Sequence, residues 1–96
     1  MKPIIKKRGS VIIGAMYASW PFGSIKLYDD HLILHAILKK AMLPYAKINK
    51  IKTKSGRKIS FIHSSNNPPE ISFFSFSKNR DILVIFKNKG IDIVYF

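Results

Sequence analysis

Polar and apolar positions alternate with a period of two along much of the chain, which is typical of strands with one buried face. The first hydrophobic segment, Val11–Ala18, is instead almost continuously apolar and partly β-branched, as suits a strand covered on both faces. It is followed by Ser19–Gly23, whose Ser-Trp-Pro-Phe-Gly sequence we expect to form a turn. The pattern predicts that the chain opens with a strand and a turn.

A hairpin with a polar turn is predicted next. Ile25 and Leu27 alternate with Lys26 and Tyr28 up to Asp29-Asp30. Beyond this turn a second alternation places three apolar side chains on one face: Leu32, Leu34 and Ala36.

The segment from His31 to Met42 fits two patterns. Besides the strand alternation, it has apolar residues at helical spacing behind Asp30, which could cap a helix. The pattern by itself leaves strand and helix open. Pro44 ends any helix there, because the residue before a proline is biased toward extended geometry.

A second hairpin, rich in lysine, is predicted around Ser55-Gly56. A two-residue turn would pair Lys52 with Ile59 and mix the polar and apolar faces. A three-residue loop of Lys54, Ser55 and Gly56 pairs Ile51 with Ile59 and Lys52 with Lys58, so that each face keeps one polarity. We expect Gly56 to adopt the left-handed conformation of this loop, in which glycine has no Cβ penalty.

The last element predicted is a helix between Asn79 and Gly90. Asn79 is an expected N-cap, Asp81 suits the first turn, Lys87 the last turn, and Gly90 the stop. Its expected buried stripe is Ile82, Ile85 and Phe86. A turn-rich loop, "SSNNPPE", and an aromatic strand over Ile71–Phe76 precede it.

Length and composition indicate one domain. A chain of 96 residues has room for a single hydrophobic core, and no apolar run approaches the roughly 18 residues that a membrane span needs. The basic start has too short an apolar middle for a secretory signal, so we expect residues 1–8 to be a mobile basic tail, residues 9–96 to be the domain, and the protein to be cytoplasmic. There is no cysteine, and 17 Lys and Arg against five acids give a formal charge of +12.

The chain resembles small bacterial pleckstrin-homology-like (PH-like) proteins related to GRAM domains. The resemblance runs from Gly9 to about Ile93, and its most recognisable parts are the Ser-Trp-Pro-Phe sequence and the aromatic strand before a helix ending in Lys-Gly. It implies a bent antiparallel barrel or sandwich of about seven strands with one C-terminal α-helix, and therefore two strands over residues 31–44. PH-like folds bind lipids, peptides and proteins alike, so the resemblance does not transfer a function.

Three specialised activities are not expected. Phosphoinositide-binding PH domains use a long basic loop between their first two strands, and here Ser19–Gly23 has no Lys or Arg. His31 and His35 would lie about 13 Å apart on a strand, too far to share a metal ion. No nucleophile elbow, phosphate-binding glycine loop or carboxylate pair indicates an enzyme, so we predict no catalytic residue, metal or cofactor.

The basic hairpin is the candidate binding site. The predicted register places lysines on one outward face with an arginine at the loop edge: Lys50, Lys52, Lys54, Arg57 and Lys58. Anionic lipid head groups suit such a face, at about 1 kcal/mol per nearby cation. An alternative is an exposed strand face that its lysines protect from aggregation. Nucleic acid ranks lower, because the outer face of the hairpin has no aromatic residue interleaved with its cations to stack on bases.

Trp20, the chain's only tryptophan, has two candidate roles. We expect it to plug one mouth of the barrel, because a large aromatic side chain contributes most by burial. The alternative is an interfacial anchor that enters a lipid surface or a partner.

The sequence thus predicts a non-catalytic binding module that associates with an anionic surface through the basic hairpin, with the inner membrane face as its candidate location. The alternative is a protein or peptide adaptor that uses a groove beside the C-terminal helix.

Overall fold

The computed structural model describes residues 2–63, 71–76 and 78–95. It contains eight strands, one α-helix and a short 3₁₀ turn within these ranges. In chain order they are β1 (Ile5–Ile13), β2 (Met16–Leu27), β3 (His31–His35), β4 (Lys40–Pro44), the 3₁₀ turn (Tyr45–Lys47), β5 (Ile48–Lys54), β6 (Lys58–His63), β7 (Ile71–Phe74), α1 (Arg80–Asn88) and β8 (Asp92–Tyr95). The loop predicted over residues 64–70 lies outside the described residues.

All eight strands belong to one sheet that curls into a half-barrel. Their order is β4-β3-β2-β1-β7-β6-β5-β8, antiparallel except for the parallel pair β5 and β8. A mainly β fold with one helix near the C-terminus is therefore confirmed. The helix is not the last element, however, because β8 follows it and pairs with the edge of β5.

The hydrophobic core fills the concave side of the curled sheet. Inward side chains alternate with outward ones along each strand, and α1 covers the inner face with Ile82, Leu83 and Phe86. The Phe86 ring meets the rings of Phe61 and Tyr45 edge-on, at centroid distances of 5.8 and 5.9 Å. The helix packs on the sheet through aromatic contacts of the kind that add to simple burial.

β1 begins earlier than the sequence suggested. Ile5 pairs with Leu27 and Lys7 pairs with Ile25, so four residues assigned to the tail belong to the sheet. The Lys7 ammonium also donates to Asp81, at 2.9 Å, and so ties β1 to the first turn of α1.

The Ser-Trp-Pro-Phe sequence lies inside β2 and is not a turn between strands. Between the pairs Gly9–Gly23 and Val11–Ala18, Ser10 of β1 faces four residues of β2, Ser19–Phe22, so the strand bulges there. The turn expected at this place is instead formed by Gly14 and Ala15, between β1 and β2. The Trp20–Pro21 peptide is cis, and the Trp20 amide donates to the Ser10 hydroxyl at 3.0 Å.

The segment 31–44 forms two strands, β3 and β4, which confirms the prediction made from the resemblance. The preceding hairpin between β2 and β3 is also confirmed, with Leu32, Leu34 and Ala36 buried on one face.

The β5–β6 hairpin has the predicted loop length and faces but a different register. Lys54 pairs with Lys58 and Ile51 with Phe61, so the loop is Ser55, Gly56 and Arg57. Gly56 does have a positive φ of 71°, and Ser55 precedes it at 58°, which is the sign combination of a type I′ turn. The predicted pairing of Ile51 with Ile59 was wrong by two residues.

α1 starts and stops where the sequence indicated. At its C-terminus Gly90 has a φ of 79°, and the amides of Gly90 and Ile91 donate to the carbonyls of Lys87 and Phe86, which is a Schellman motif. The N-terminus differs from expectation, because the Asn79 side chain does not cap the helix. It is fully buried and donates to the Arg57 carbonyl, so it joins α1 to the β5–β6 turn.

Candidate anion-binding surface

The cations of the β5–β6 hairpin lie on the outer face of the sheet. We call them the basic strip: Lys50, Lys52, Lys54, Arg57 and Lys58. Along β5 they alternate with Ile51 and Thr53, which are fully buried, and all five strip side chains are exposed. The outward face predicted for these residues is therefore observed, while their role in binding stays a prediction.

The turn that carries the strip is held in place by the helix. The Asn79 amide donates to the Gly56 carbonyl at 2.8 Å, and the Asn79 side chain and the Ser75 amide both donate to the Arg57 carbonyl. These hydrogen bonds fix the backbone of the turn. The strip side chains therefore extend from a rigid backbone, which lowers the entropy lost on binding a surface.

The strip has no intramolecular counterion among the described residues. The ion pairs there use other cations: Lys7 with Asp81, His31 with Asp30, and Lys89 with Asp29. Asp92 of β8 lies opposite Lys50 in the sheet but forms no ion pair with it in this part of the chain. The strip therefore presents unneutralised positive charge to solvent.

Aromatic side chains lie next to the strip on the same outer face, three of them exposed (Tyr17, Trp20 and Phe76) and Phe74 half-buried. We call Tyr17, Trp20, Phe74 and Phe76 the aromatic cluster. The Phe76 ring packs edge-on against Trp20 and Phe74, at centroid distances of 5.8 and 5.5 Å. Trp20 remains 52% exposed, so the prediction that it plugs the barrel was wrong.

The strip and the aromatic cluster meet at Lys58. Lys58 of β6 pairs with Phe74 of β7, and with the cluster it lines an open groove of about 400 Å³. Within residues 48–63 the outer face of the hairpin has no aromatic side chain, as the sequence indicated, and Phe61 is buried. The aromatic residues beside Lys58 belong to β2, to β7 and to the residues that follow β7, and the pairing of β6 with β7 brings them next to the strip.

A second open groove, of about 440 Å³, lies between α1, β8 and the β5–β6 turn. Apolar side chains and cations both line it: Leu83, Val84, Ile93 and Tyr95, with Lys78, Arg80 and Lys87. The sequence predicted a groove beside the helix but not that β8 would form one of its walls.

His31 makes contacts that are structural in kind. His31 stacks on Tyr28, with centroids 4.7 Å apart, and its Nδ1 lies 2.6 Å from Asp30 Oδ1. The hydrogen bond with His31 holds the pKa of Asp30 below its ordinary value. Within residues 2–63, 71–76 and 78–95, no group of three or more His, Asp or Glu side chains is placed to hold a metal ion.

No family model and no curated protein matches the chain. In the described ranges, no helix has the length and hydrophobicity required to cross a bilayer.

Proposed function

We propose that the chain is a PH-like, non-catalytic module that binds an anionic membrane surface through the basic strip. Seven antiparallel strands before a helix that packs on their concave side support the PH-like assignment. We further propose a cytoplasmic protein, peripheral at the inner membrane face.

The observation that carries this proposal is the junction at Lys58 of unpaired cations and exposed aromatic rings. Lysines near an anionic leaflet each contribute about 1 kcal/mol. Trp and Tyr side chains favour the head-group region, because an apolar ring and a polar group can both be accommodated there. In this proposal Trp20 is an interfacial anchor and does not plug the barrel.

The first test compares two charge-reversal variants by sedimentation with vesicles of phosphatidylcholine and phosphatidylglycerol. The strip variant is Lys50→Glu, Lys52→Glu and Lys58→Glu, and the control reverses three exposed lysines elsewhere: Lys2, Lys47 and Lys87. Each Lys→Glu change removes two charges, so both triple variants fall from +12 to +6. We expect the strip variant to lose binding and the control to retain most of it. Equal losses would mean that net charge alone drives association.

Trp20 fluorescence separates a membrane from single-stranded nucleic acid, for which the aromatic cluster now offers stacking surfaces. Vesicles should shift the emission to shorter wavelength, because the half-exposed indole enters a less polar region. Single-stranded DNA should quench the emission with little shift. Quenching by DNA without any response to anionic vesicles would replace the membrane proposal with nucleic-acid binding.

The groove beside α1 supports a second candidate function, that of a protein or peptide adaptor. The apolar residues that line this groove can contact the side chains of a docked segment. Salt distinguishes the two candidates: binding to anionic vesicles should weaken steeply as sodium chloride rises, whereas docking in an apolar groove should change little.

A further inference from the structure

A separate concentration of positive charge lies on the outer face of β1, β2 and β3. Lys6, Arg8, Lys26 and His35 line an open groove of about 410 Å³, together with Ser24. We call it the β1–β3 groove. It uses none of the strip residues, and β7 lies between β1 and the β5–β6 hairpin in the sheet.

The strand register places these cations in two adjacent rows. Lys6 lies directly opposite Lys26, and Arg8 begins a row that continues through Ser24, His35 and Lys40. Residues two apart on a strand are separated by about 7 Å, and adjacent strands by about 5 Å. Like charges directly opposite each other destabilise a sheet, and a bound anion would offset that repulsion.

The groove has no acidic partner in the part of the chain that the structure describes. None of Lys6, Arg8, Lys26 and Lys40 forms an ion pair there. Burial, and then the charges of Lys26 and Lys40, lower the pKa of the His35 imidazole below its ordinary value. Burial and repulsion together thus keep His35 neutral to lower pH than usual.

We propose that the β1–β3 groove binds a compact anion that carries more than one phosphate group. A guanidinium such as that of Arg8 forms paired hydrogen bonds to phosphate oxygens, and the lysines add compact charges. Lys6 and Arg8 of β1 and Lys26 of β2 line one groove together with His35 of β3, so side chains from three strands can contact one ligand. The inference is independent of the proposed membrane function, because it depends on different residues.

The ligand's phosphates could belong to a lipid head group or to a soluble oligophosphate. The turn between β3 and β4 bears on this point, because Ile37 is 68% and Leu38 85% exposed just beyond His35. A head group held in the groove would bring these side chains close to the apolar part of a bilayer. A soluble ligand would leave them without a role.

The test measures calorimetric binding of inorganic tripolyphosphate to the wild-type chain and to two variants of equal charge. We expect Lys26→Gln to weaken binding about 10-fold, as for the loss of one charge-assisted hydrogen bond. Lys52→Gln, in the strip, removes the same charge and should change the affinity by less than about two-fold. Lys6→Gln, at an exposed position, replaces Lys26→Gln if the latter unfolds. Equal weakening by groove and strip variants, or no measurable binding, overturns the proposal.

Proton linkage gives a second readout. Lys26 and Lys40 lie on the strands next to His35, and Arg8 lies one strand further away, on β1. A bound polyanion favours the protonated form of His35. Binding should therefore tighten more for the wild type than for His35→Gln as the pH falls from about 8 to about 6. The ligand's own titration cancels in this comparison. Parallel pH profiles would exclude His35 from the site, and the proposal as stated would be wrong.

Vesicles of phosphatidylcholine with phosphatidic acid distinguish the two phosphate sources. If the source is lipid, Lys26→Gln and Leu38→Ser both reduce sedimentation, and tripolyphosphate displaces the wild type. If the source is soluble, tripolyphosphate binds but neither substitution alters sedimentation. The strip variant distinguishes the groove proposal from the membrane proposal. It should weaken vesicle binding without affecting the binding of tripolyphosphate. If the groove proposal fails, the strip variant should still weaken vesicle binding.

Discussion

At the scale of single residues, Thr53 carries an uncompensated polar group. Its side chain is fully buried on the inner face of β5, and its hydroxyl has no hydrogen-bond partner among the described residues. A buried hydroxyl without a partner loses its hydration and gains nothing in return, at a cost of roughly 1–3 kcal/mol.

Replacing Thr53 with valine should therefore stabilise the fold. Thr53→Val keeps the branched shape and removes the hydroxyl, and we expect the free energy of unfolding in urea to rise by about 1 kcal/mol. Thr53→Ser is the matched control: it keeps the hydroxyl and loses the methyl group, so it should destabilise by about 1 kcal/mol. A lower stability of Thr53→Val would show that the hydroxyl has a partner.

Gly56 is the residue on which the shape of the β5–β6 turn depends most. At its φ of 71° an L side chain is disfavoured, although a Cβ would have space, with Lys78 Cβ as its nearest atom at 3.8 Å. We expect Gly56→Ala to lower the free energy of unfolding by about 1–2 kcal/mol. Ser55→Asn, at a neighbouring positive φ, should stay within about 0.5 kcal/mol of wild type, because asparagine tolerates this conformation. Similar losses in both variants would contradict a conformational cause.

Single residues also show where local chemistry is enough and where it is not. A loop of three residues that joins two alternating strands requires a residue with a positive φ. The positive φ of Gly56 was therefore predictable. Asn79 was misassigned as a side-chain cap because its Oδ1 accepts from the Ser75 hydroxyl and from the Lys7 ammonium, 72 residues away, while its Nδ2 donates to the Arg57 carbonyl. A helix-start signal cannot report that distant donors occupy the oxygen that would cap the helix.

At the scale of elements, the contact between β1 and α1 depends on Lys7 and Asp81. Burial opposes ionisation of Asp81, but hydrogen bonds from Lys7 and from the Ile82 amide outweigh it and lower the pKa of this carboxyl. A carboxyl whose pKa is lower in the folded state stabilises the fold above its unfolded pKa. That contribution is lost as the pH falls through the folded value.

Asp81→Asn should therefore lose stability at neutral pH and lose less in acid. Because Asp81 is about half exposed, screening limits the difference to about 1 kcal/mol or less at pH 7. We expect it to shrink as the pH falls below about 4, the ordinary pKa of an aspartate, and through the lower folded value, as measured by urea unfolding at each pH. Asp92→Asn is the control, since Asp92 forms no ion pair within the described ranges. A difference that stays constant across this pH range would exclude the ion pair as its cause.

The elements differ in how far local sequence decides them. The start and stop of α1 were predictable, because first-turn acid, last-turn lysine and Gly90 all act within one turn of the helix ends. The β5–β6 register was not, because sliding the pairing by two residues keeps every side chain on its face. β8 was not predicted, although Ile91 and Ile93 alternate with Asp92. A strand of four residues forms only where it can pair with the edge of a neighbouring strand.

At the scale of the whole molecule, charge repulsion is the dominant electrostatic feature. The formal charge of +12 already counts the five acids against the 17 Lys and Arg, so this excess remains after the acids are paired. Repulsion of this kind destabilises a compact state, and salt reduces it by shortening the screening length from about 30 Å at 0.01 M to about 8 Å at 0.15 M.

Salt should consequently stabilise this protein. We expect the free energy of unfolding to rise by about 1 kcal/mol over that range, or roughly 4–8 °C in Tm. The strip variant, with a formal charge of +6, should gain less. A Tm that falls as sodium chloride is added would mean that attractive ion pairs outweigh the repulsion.

The sequence by itself determined the strand alternation, the helix ends, the left-handed glycine of the turn and the outward face of the strip lysines. Each of these depends on interactions within a few residues, or on a two-residue period that survives errors of register. Only the tertiary structure decided that the Ser-Trp-Pro-Phe sequence bulges within β2, that Lys58 lies beside Phe74, and that Lys6, Arg8, Lys26 and His35 surround one groove. These neighbours come from different strands, and their contacts exist only once the strands have paired in one order and register.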